Sequence, residues 1–335
     1  MLTPSPEDHW QCVTPHRCAL GESPFWHPDE QMLYWLDISG RQILRANVYM
    51  GTVETWDMPS EPGCMAPAAQ GGLVIALRHG VFRATAWKGQ LHLLTTLDYD
   101  PTSMRANDGK CDPQGLFWVG TIDETKQLKN AALYSIDARH SDPSGQPKVV
   151  CQISPASGMT TANGLAFSPD NRTLYWADTP SHTVWAWDFE VNSASMSRQR
   201  VFAKFAAKPP GWQSPTLAAA SPDVALAKAE MAAYGGRPDG AAVDVQGNYW
   251  VAMFEGQRVC QFAPDGTLLA SIPTPLMCPT MPCLGGEDLK TLYVTSASHH
   301  RSAEELAAYP LSGAVLSMRV NVPGLPVQFF KDGMA

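Results

Sequence analysis

The sequence predicts an all-β fold built from repeats, and three observations carry that prediction. Glycine and proline number 26 and 28 of 335 residues, beside 11 tryptophans, which suits many short strands joined by tight turns better than a helical bundle. An apolar, aromatic-rich strand recurs along the chain at near-regular spacing. The length fits two or three average domains or one large closed β architecture, and the repeat favours the second.

Taken in order, the repeated strand appears around Trp35 in PFWHPDEQMLYWLDIS, Ile75 in AAQGGLVIALRHG and Trp118 in KCDPQGLFWVGTID. It returns around Trp176 in AFSPDNRTLYWADTPS, Trp250 in AVDVQGNYWVAMFEG and Val294 in LGGEDLKTLYVTSAS. The spacings are 40, 43, 58, 74 and 44 residues, and three of them match one four-stranded propeller blade. Turns such as PDEQ, PDNR and VQGN separate two strand-like runs within a copy, as a hairpin requires.

The two long spacings need insertions. One is the polar stretch DPSGQ, Asp142–Gln146, and the larger runs over about 206–236. The latter begins PPGWQSP and continues SPDVALAKAEMAAYGG, with Ser221 as N-cap, Pro222 at the first helical position and Gly235 at the end, which predicts a short helix on the rim. That insertion reads either as a decorative loop or as a lid or wall over a channel mouth. A second short helix is expected at SAEELAAY, where Ser302 and Glu305 make a capping box. The terminal runs HWQCVTPHRCAL and GAVLSMRVNVPGLPVQFF are both strand-like, as closing the last blade from both ends requires. The reading is therefore a single six-bladed β-propeller domain over residues 1–335, with a central channel and a helical rim insertion.

Composition narrows the function. At 44% hydrophobic and 17% charged, with net charge −8, the chain is globular, and its acidic balance argues against nucleic acid or an anionic membrane as partner. No window reaches the roughly 18 apolar residues of a membrane helix, and MLTPSPEDHWQC lacks a basic n-region and an apolar h-region. A soluble cytoplasmic protein is expected, a monomer or weak homo-oligomer. The eight scattered cysteines, with no CxxC, read as reduced core thiols.

In a propeller the innermost strands line the channel, so polar groups at one point of different repeats converge there. Glu22 in GESPFW, Asn107 in RANDGK, Asn163 in ANGLAFSPD and Asp239 in RPDGAAVD each stand at the head of an apolar run. Two carboxylates and two carboxamides on one axis suit a hard or borderline divalent cation with positions left for water and substrate. Asp37 and Asp178, which follow the repeat tryptophans, read as structural groups at strand ends. No HExxH or GxSxG motif is present.

GESPFW, RANDGKCDPQGLFWVGT, NGLAFSPDNRTLYWADT and RPDGAAVDVQGNYWVA resemble, in order, the signature segments of the SMP-30/gluconolactonase/luciferin-regenerating-enzyme family. The resemblance implies a six-bladed propeller with one divalent metal, Ca, Zn, Mn, Mg or Fe(II), and hydrolysis of sugar lactones. It places metal ligands at Glu22, Asn163 and Asp239, a channel residue touching substrate at Asn107 and a substrate-binding arginine at Arg105. Where sugar-lactone members often carry consecutive acidic residues, this chain has Thr121-Ile122-Asp123-Glu124-Thr125, and Glu124 is expected to hydrogen-bond a substrate hydroxyl.

The expected activity is metal-dependent opening of an aldonolactone, a small-molecule substrate, to its aldonic acid. The cation polarises the carbonyl, and Asp239 or a metal-bound hydroxide activates water. Two other readings compete. A propeller phosphotriesterase or a hydrolase of less polar lactones fits an apolar wall around Trp212, and a non-catalytic propeller scaffold predicts no bound metal at all.

Overall fold

The computed structural model describes residues 10–140, 146–214 and 234–333. Hairpin after hairpin gives six four-stranded antiparallel sheets. The first holds β2 Gly21–His27, β3 Met32–Asp37, β4 Gln42–Asn47 and β5 Thr52–Asp57, and the second β6 Pro62–Pro67, β7 Leu73–Leu77, β8 Gly80–Ala84 and β9 His92–Thr95. The third holds β10 Met104–Cys111, β11 Phe117–Asp123, β12 Leu133–Asp137 and β13 Lys148–Ile153, and the fourth β14 Ala162–Phe167, β15 Thr173–Asp178, β16 Thr183–Glu190 and β17 Ser195–Lys204. The fifth runs β18 Arg237–Val243, β19 Tyr249–Phe254, β20 Arg258–Phe262 and β21 Leu268–Pro273. The sixth takes β22 Pro279–Gly285, β23 Thr291–Ser296 and β24 Leu316–Arg319 from the C-terminal part and β1 Gln11–Cys12 from the N-terminal part.

This is the expected six-bladed propeller. Trp35, Ile75, Trp118, Trp176, Trp250 and Val294 all fall on the second strand of their sheet. The first strands contact one another around the centre and are almost wholly buried, whereas outer strands such as Thr52–Asp57 are largely exposed. An apolar cluster fills each gap between adjacent sheets. Trp118 and Leu133 of the third sheet meet Trp176 and Leu174 of the fourth, and Tyr175 and Val184 of the fourth meet Val251 and Tyr249 of the fifth. Turn chemistry agrees with the sequence: Gln31, Asn171 and Gly247 take left-handed φ of 52°, 60° and 84° in the turns PDEQ, PDNR and VQGN.

Closure uses both ends of the chain. Gln11 and Cys12 pair with Ser317 and Leu316 of β24, which covers the edge that strand would otherwise leave bare. Beyond β24 the chain runs across the ring as a strap. Leu325, Phe330, Lys331 and Gly333 donate backbone hydrogen bonds to Val243, Pro67, Gly115 and Ala138, so the strap ties the fifth sheet to the second and third. Asp332 meets Arg83 there at 2.6 Å, with both side chains 1% exposed.

The expected helix at Ser302 is present as α1, Ala303–Ala308, with the Ser302 hydroxyl accepting the Glu305 N–H. The Glu305 carboxylate turns instead to Arg301, at 2.6 and 2.7 Å. The helix expected at Ser221 and most of the Asp142–Gln146 insertion lie outside the described residues. All eight cysteines are free, and among the described residues no helix is long and apolar enough to cross a membrane.

Candidate active site

Glu22, Asn107, Asn163 and Asp239 lie on the first strands of four different sheets, and a shared irregularity points them inward. Pairing with the second strand slips between Glu22 and Phe25, Ala106 and Gly109, Asn163 and Ala166, and Pro238 and Ala241. At each slip two residues oppose one, so the strand bends and re-aims its side chains. Glu22 and Asn163 are the last paired residues before the bulge, and Asn107 and Asp239 are the first within it. Ser23 and Gly164 supply the left-handed backbone, φ 50° and 60°, that the bend needs. All four donor residues are buried.

A chain of hydrogen bonds fixes the amides. Arg105 Nη1 donates to Asn107 Oδ1 at 2.8 Å, and Asn107 Nδ2 donates to Asn163 Oδ1 at 2.9 Å. Asn163 Nδ2 donates to Thr179 Oγ1 at 2.8 Å, and the Thr179 hydroxyl donates to the Pro238 carbonyl at 2.7 Å. Three sheets are thereby locked around one point, directly before Asp239. Thr179 was not singled out from the sequence; its only signal is its place after the strand-end Asp178.

Asp108 is the more consequential residue that sequence reasoning passed over. It is the second residue of the β10 bulge, and its Oδ2 accepts the Leu165 N–H at 2.8 Å. Its Oδ1 is buried with no hydrogen-bond partner among the described residues. Three carboxylates therefore gather on the axis. Burial, then Asp239 and Asp108, push the Glu22 carboxyl well above its usual range, and burial followed by Asp108 pushes Asp239 up to about 8. Burial likewise raises Asp108, with Lys110 opposing. Lys110 is committed elsewhere, its ammonium bonding the Ala241 carbonyl. Hard oxygens in excess of nearby cations, one of them unpartnered, are a donor set that fits a divalent cation.

Glu124 stands at the rim, bound on both oxygens: Oε1 accepts from Arg105 Nε at 3.2 Å and Oε2 from Arg78 Nη1 at 2.8 Å. Further along the inner strands lies a cavity of about 140 Å³ walled in part by Ser23, Lys110, Met281 and Val327, the last from the C-terminal strap. A separate trio, His16, Cys18 and Asp37, brings donor atoms within 4.8 Å of one another, yet Asp37 is occupied by the N–H groups of Ala19, Leu20 and Gly40. Burial pushes the Cys18 thiol up to about 12, so it stays protonated. Asp178 likewise accepts the Thr160 and Thr161 N–H groups, the strand-end role expected of both aspartates.

Comparison with known proteins agrees with this architecture. A 6-deoxy-6-sulfogluconolactonase of Pseudomonas putida is 39% identical over 325 residues, 96% of this chain and 98% of the relative. Regucalcin of Gallus gallus is 29% identical over 94% of this chain and 96% of its own. The crystal structure of a calcium-binding protein, regucalcin, from Agrobacterium tumefaciens superposes with a TM-score of 0.80 at 22% identity, covering 95% and 96% of the two chains. Residues 20–298 match the SMP-30/Gluconolactonase/LRE-like region, and the chain belongs to that family.

Proposed function

We propose that the protein hydrolyses a sugar-derived lactone to the corresponding aldonic acid, with one divalent cation held by Glu22, Asn163 and Asp239 and the whole ring acting as one domain. The convergence of three buried carboxylates and two oriented carboxamides among the innermost strands carries this reading. The sugar-lactonase name of the 39% identical relative supports the reaction, and the calcium-binding description of the regucalcin structure supports the cation.

Glu22, Asn163 and Asp239 would hold the cation, which when bound would supply Lewis acidity toward the lactone carbonyl. Asp239 takes the proton of the attacking water and returns it to the ring oxygen; ligation lowers its pKa, which limits its strength as a base. Arg105, whose Nε and Nη1 are spent on Glu124, Asn107 and the Ala106 carbonyl, turns its Nη2 to a sugar oxygen. Asn107, held on both ends of its amide, orients the hydroxyl nearest the carbonyl. Glu124 braces Arg105 and meets a hydroxyl from the rim.

The test is acid release from pentono- and hexonolactones after EDTA treatment, followed by separate addition of Ca, Zn, Mn, Mg and Fe(II). Activity is expected to vanish on chelation and to return with at least one ion. Hydrolysis unaffected by complete cation removal overturns the cation assignment, and no turnover of any lactone with any ion overturns the lactonase reading.

A further inference from the structure

At the channel mouth, where the fourth, fifth and sixth sheets meet, lies a second polar cluster that this reaction does not use. Its centre is Glu255, a buried carboxylate just after β19. Lys208 Nζ lies 2.9 and 2.8 Å from its two oxygens, Arg237 Nη2 is at 3.0 Å and Arg301 Nη1 at 3.1 Å. Arg301 also grips Glu305. Three cations thus crowd around Glu255 and Glu305, and Arg237 also acts electrostatically on Asp239.

Two donors in this cluster have nothing to bond. Arg237 Nε is buried without a hydrogen-bond partner among the described residues, and so is the Tyr234 hydroxyl. Tyr234 is only 6% exposed, its ring packed edge-on against Trp212 at 5.0 Å. The Arg237 guanidinium lies 5.3 Å from the Phe254 ring centre, so it is held in place by packing as well as by Glu255. Buried donors left unpaired cost free energy unless a ligand arrives to accept from them.

We infer that Arg237 Nε and the Tyr234 hydroxyl form an anion subsite for a tetrahedral oxyanion, a sulfonate or phosphate, carried on the end of the lactone farthest from its reacting carbonyl. The subsite rests on the lactonase reading for the rest of its substrate. Arg237 precedes Asp239 by two residues on β18, at most about 6.8 Å along the strand because Asp239 opens the bulge, a separation comparable with the reach from the carbonyl to the terminal group of a six-carbon lactone. An unpartnered guanidinium N–H beside Lys208 and Arg301 favours an anion over a hydroxyl. Three acceptor oxygens on a tetrahedral centre serve divergent donors better than a planar carboxylate does.

The experiment compares wild type with Tyr234→Phe, which removes an unpartnered atom and leaves the packing, and with Arg237→Gln. Kinetics on gluconolactone and on its 6-phospho and 6-sulfo forms give the ratio of charged to neutral kcat/KM. That ratio is expected to fall tenfold or more in Arg237→Gln and threefold or more in Tyr234→Phe, chiefly through KM. A ratio unchanged in both variants overturns the subsite and leaves the lactonase reading standing. Binding of 6-phosphogluconate and 6-sulfogluconate against gluconate, followed by tryptophan fluorescence, needs no turnover. Tighter binding of either charged probe that is lost in the variants supports the subsite even if no lactone is hydrolysed, in which case the lactonase reading falls alone. No preference for a charged probe over gluconate overturns the subsite.

Discussion

Asp239→Asn is expected to make the EDTA-treated protein more stable while abolishing its activity. Burial and the Asp108 carboxylate move Asp239 from 3.8 to about 8. With a folded pKa above the unfolded one, the native state holds a proton that the unfolded chain has released, so stability falls as pH rises from about 4 to about 8. One such group contributes a slope of about 1.4 kcal/mol per pH unit, and asparagine, nearly isosteric and neutral, contributes none. Because Glu22 and Asp108 share the burden, a third of that slope is a conservative share, which still leaves the variant on the order of 2 kcal/mol ahead at pH 8. For a chain of this size that is a few degrees in Tm. Thermal unfolding in EDTA at pH 5 to 9 reads it directly, with the gap widening up to about pH 8 and then levelling. Adding the activating cation should reverse the order, because the variant has lost a ligand charge. The reasoning fails if Asp239→Asn is no more stable than wild type at pH 8 to 9, or if the gap does not grow with pH.

Three further outcomes are expected. Cation affinity should climb with pH toward about 8, since Asp239 must shed its proton to ligate; calorimetry at pH 6 in buffers of different ionisation enthalpy should record proton release, and none would contradict the assignment. Gly164→Ala should cost on the order of 3 kcal/mol and most of the kcat, because a left-handed non-glycine is strained and the core is overpacked: the added Cβ meets Tyr249 Oη at 2.3 Å beside Asn163. Chemical denaturation and steady-state kinetics check both. Asp332→Ala should cost about 3–5 kcal/mol by leaving Arg83 buried and unpaired, whereas Arg83→Met with Asp332→Leu should cost less; equal losses in a urea series would show that packing, not charge, dominates the strap.

The ring was legible in the sequence because each repeat carries its own hairpin signal, and Trp35, Trp118 and Trp250 mark the same strand in three sheets without any long-range information. The convergence of Glu22, Asn107, Asn163 and Asp239 was legible for the same reason, because each stands ahead of the apolar run of its repeat; their two different places about the bulge were not. Asp108 was not, because beside Asn107 and before Gly109 it looks like a turn residue; only the two-against-one bulge turns consecutive side chains to useful directions. Glu124 could be chosen but not its partners, since Arg78 comes from the neighbouring second sheet. The mouth cluster was invisible for a similar reason. Lys208, Arg237, Glu255 and Arg301 are scattered through the chain and meet only once the ring has closed.

The bulge on the inner strands has a consequence for how such a ring can be retuned. The two sheets that contribute no axial donor also break register at their first strand, at Gly63 between Pro62 and Cys64 and at Thr280-Met281 between Pro279 and Pro282. These are vacant sockets of the same backbone design, and they are not equivalent. A side chain at Gly63 would put its Cβ 2.3 Å from the Ala106 carbonyl, so that socket is sealed by the neighbouring sheet. Thr280 already carries a side chain, spending its hydroxyl on Thr295 at 2.8 Å and on Gly21. Its socket is the one through which a sixth donor could be added to the axis by a single codon change, retuning the proposed cation site while every blade stays as it is.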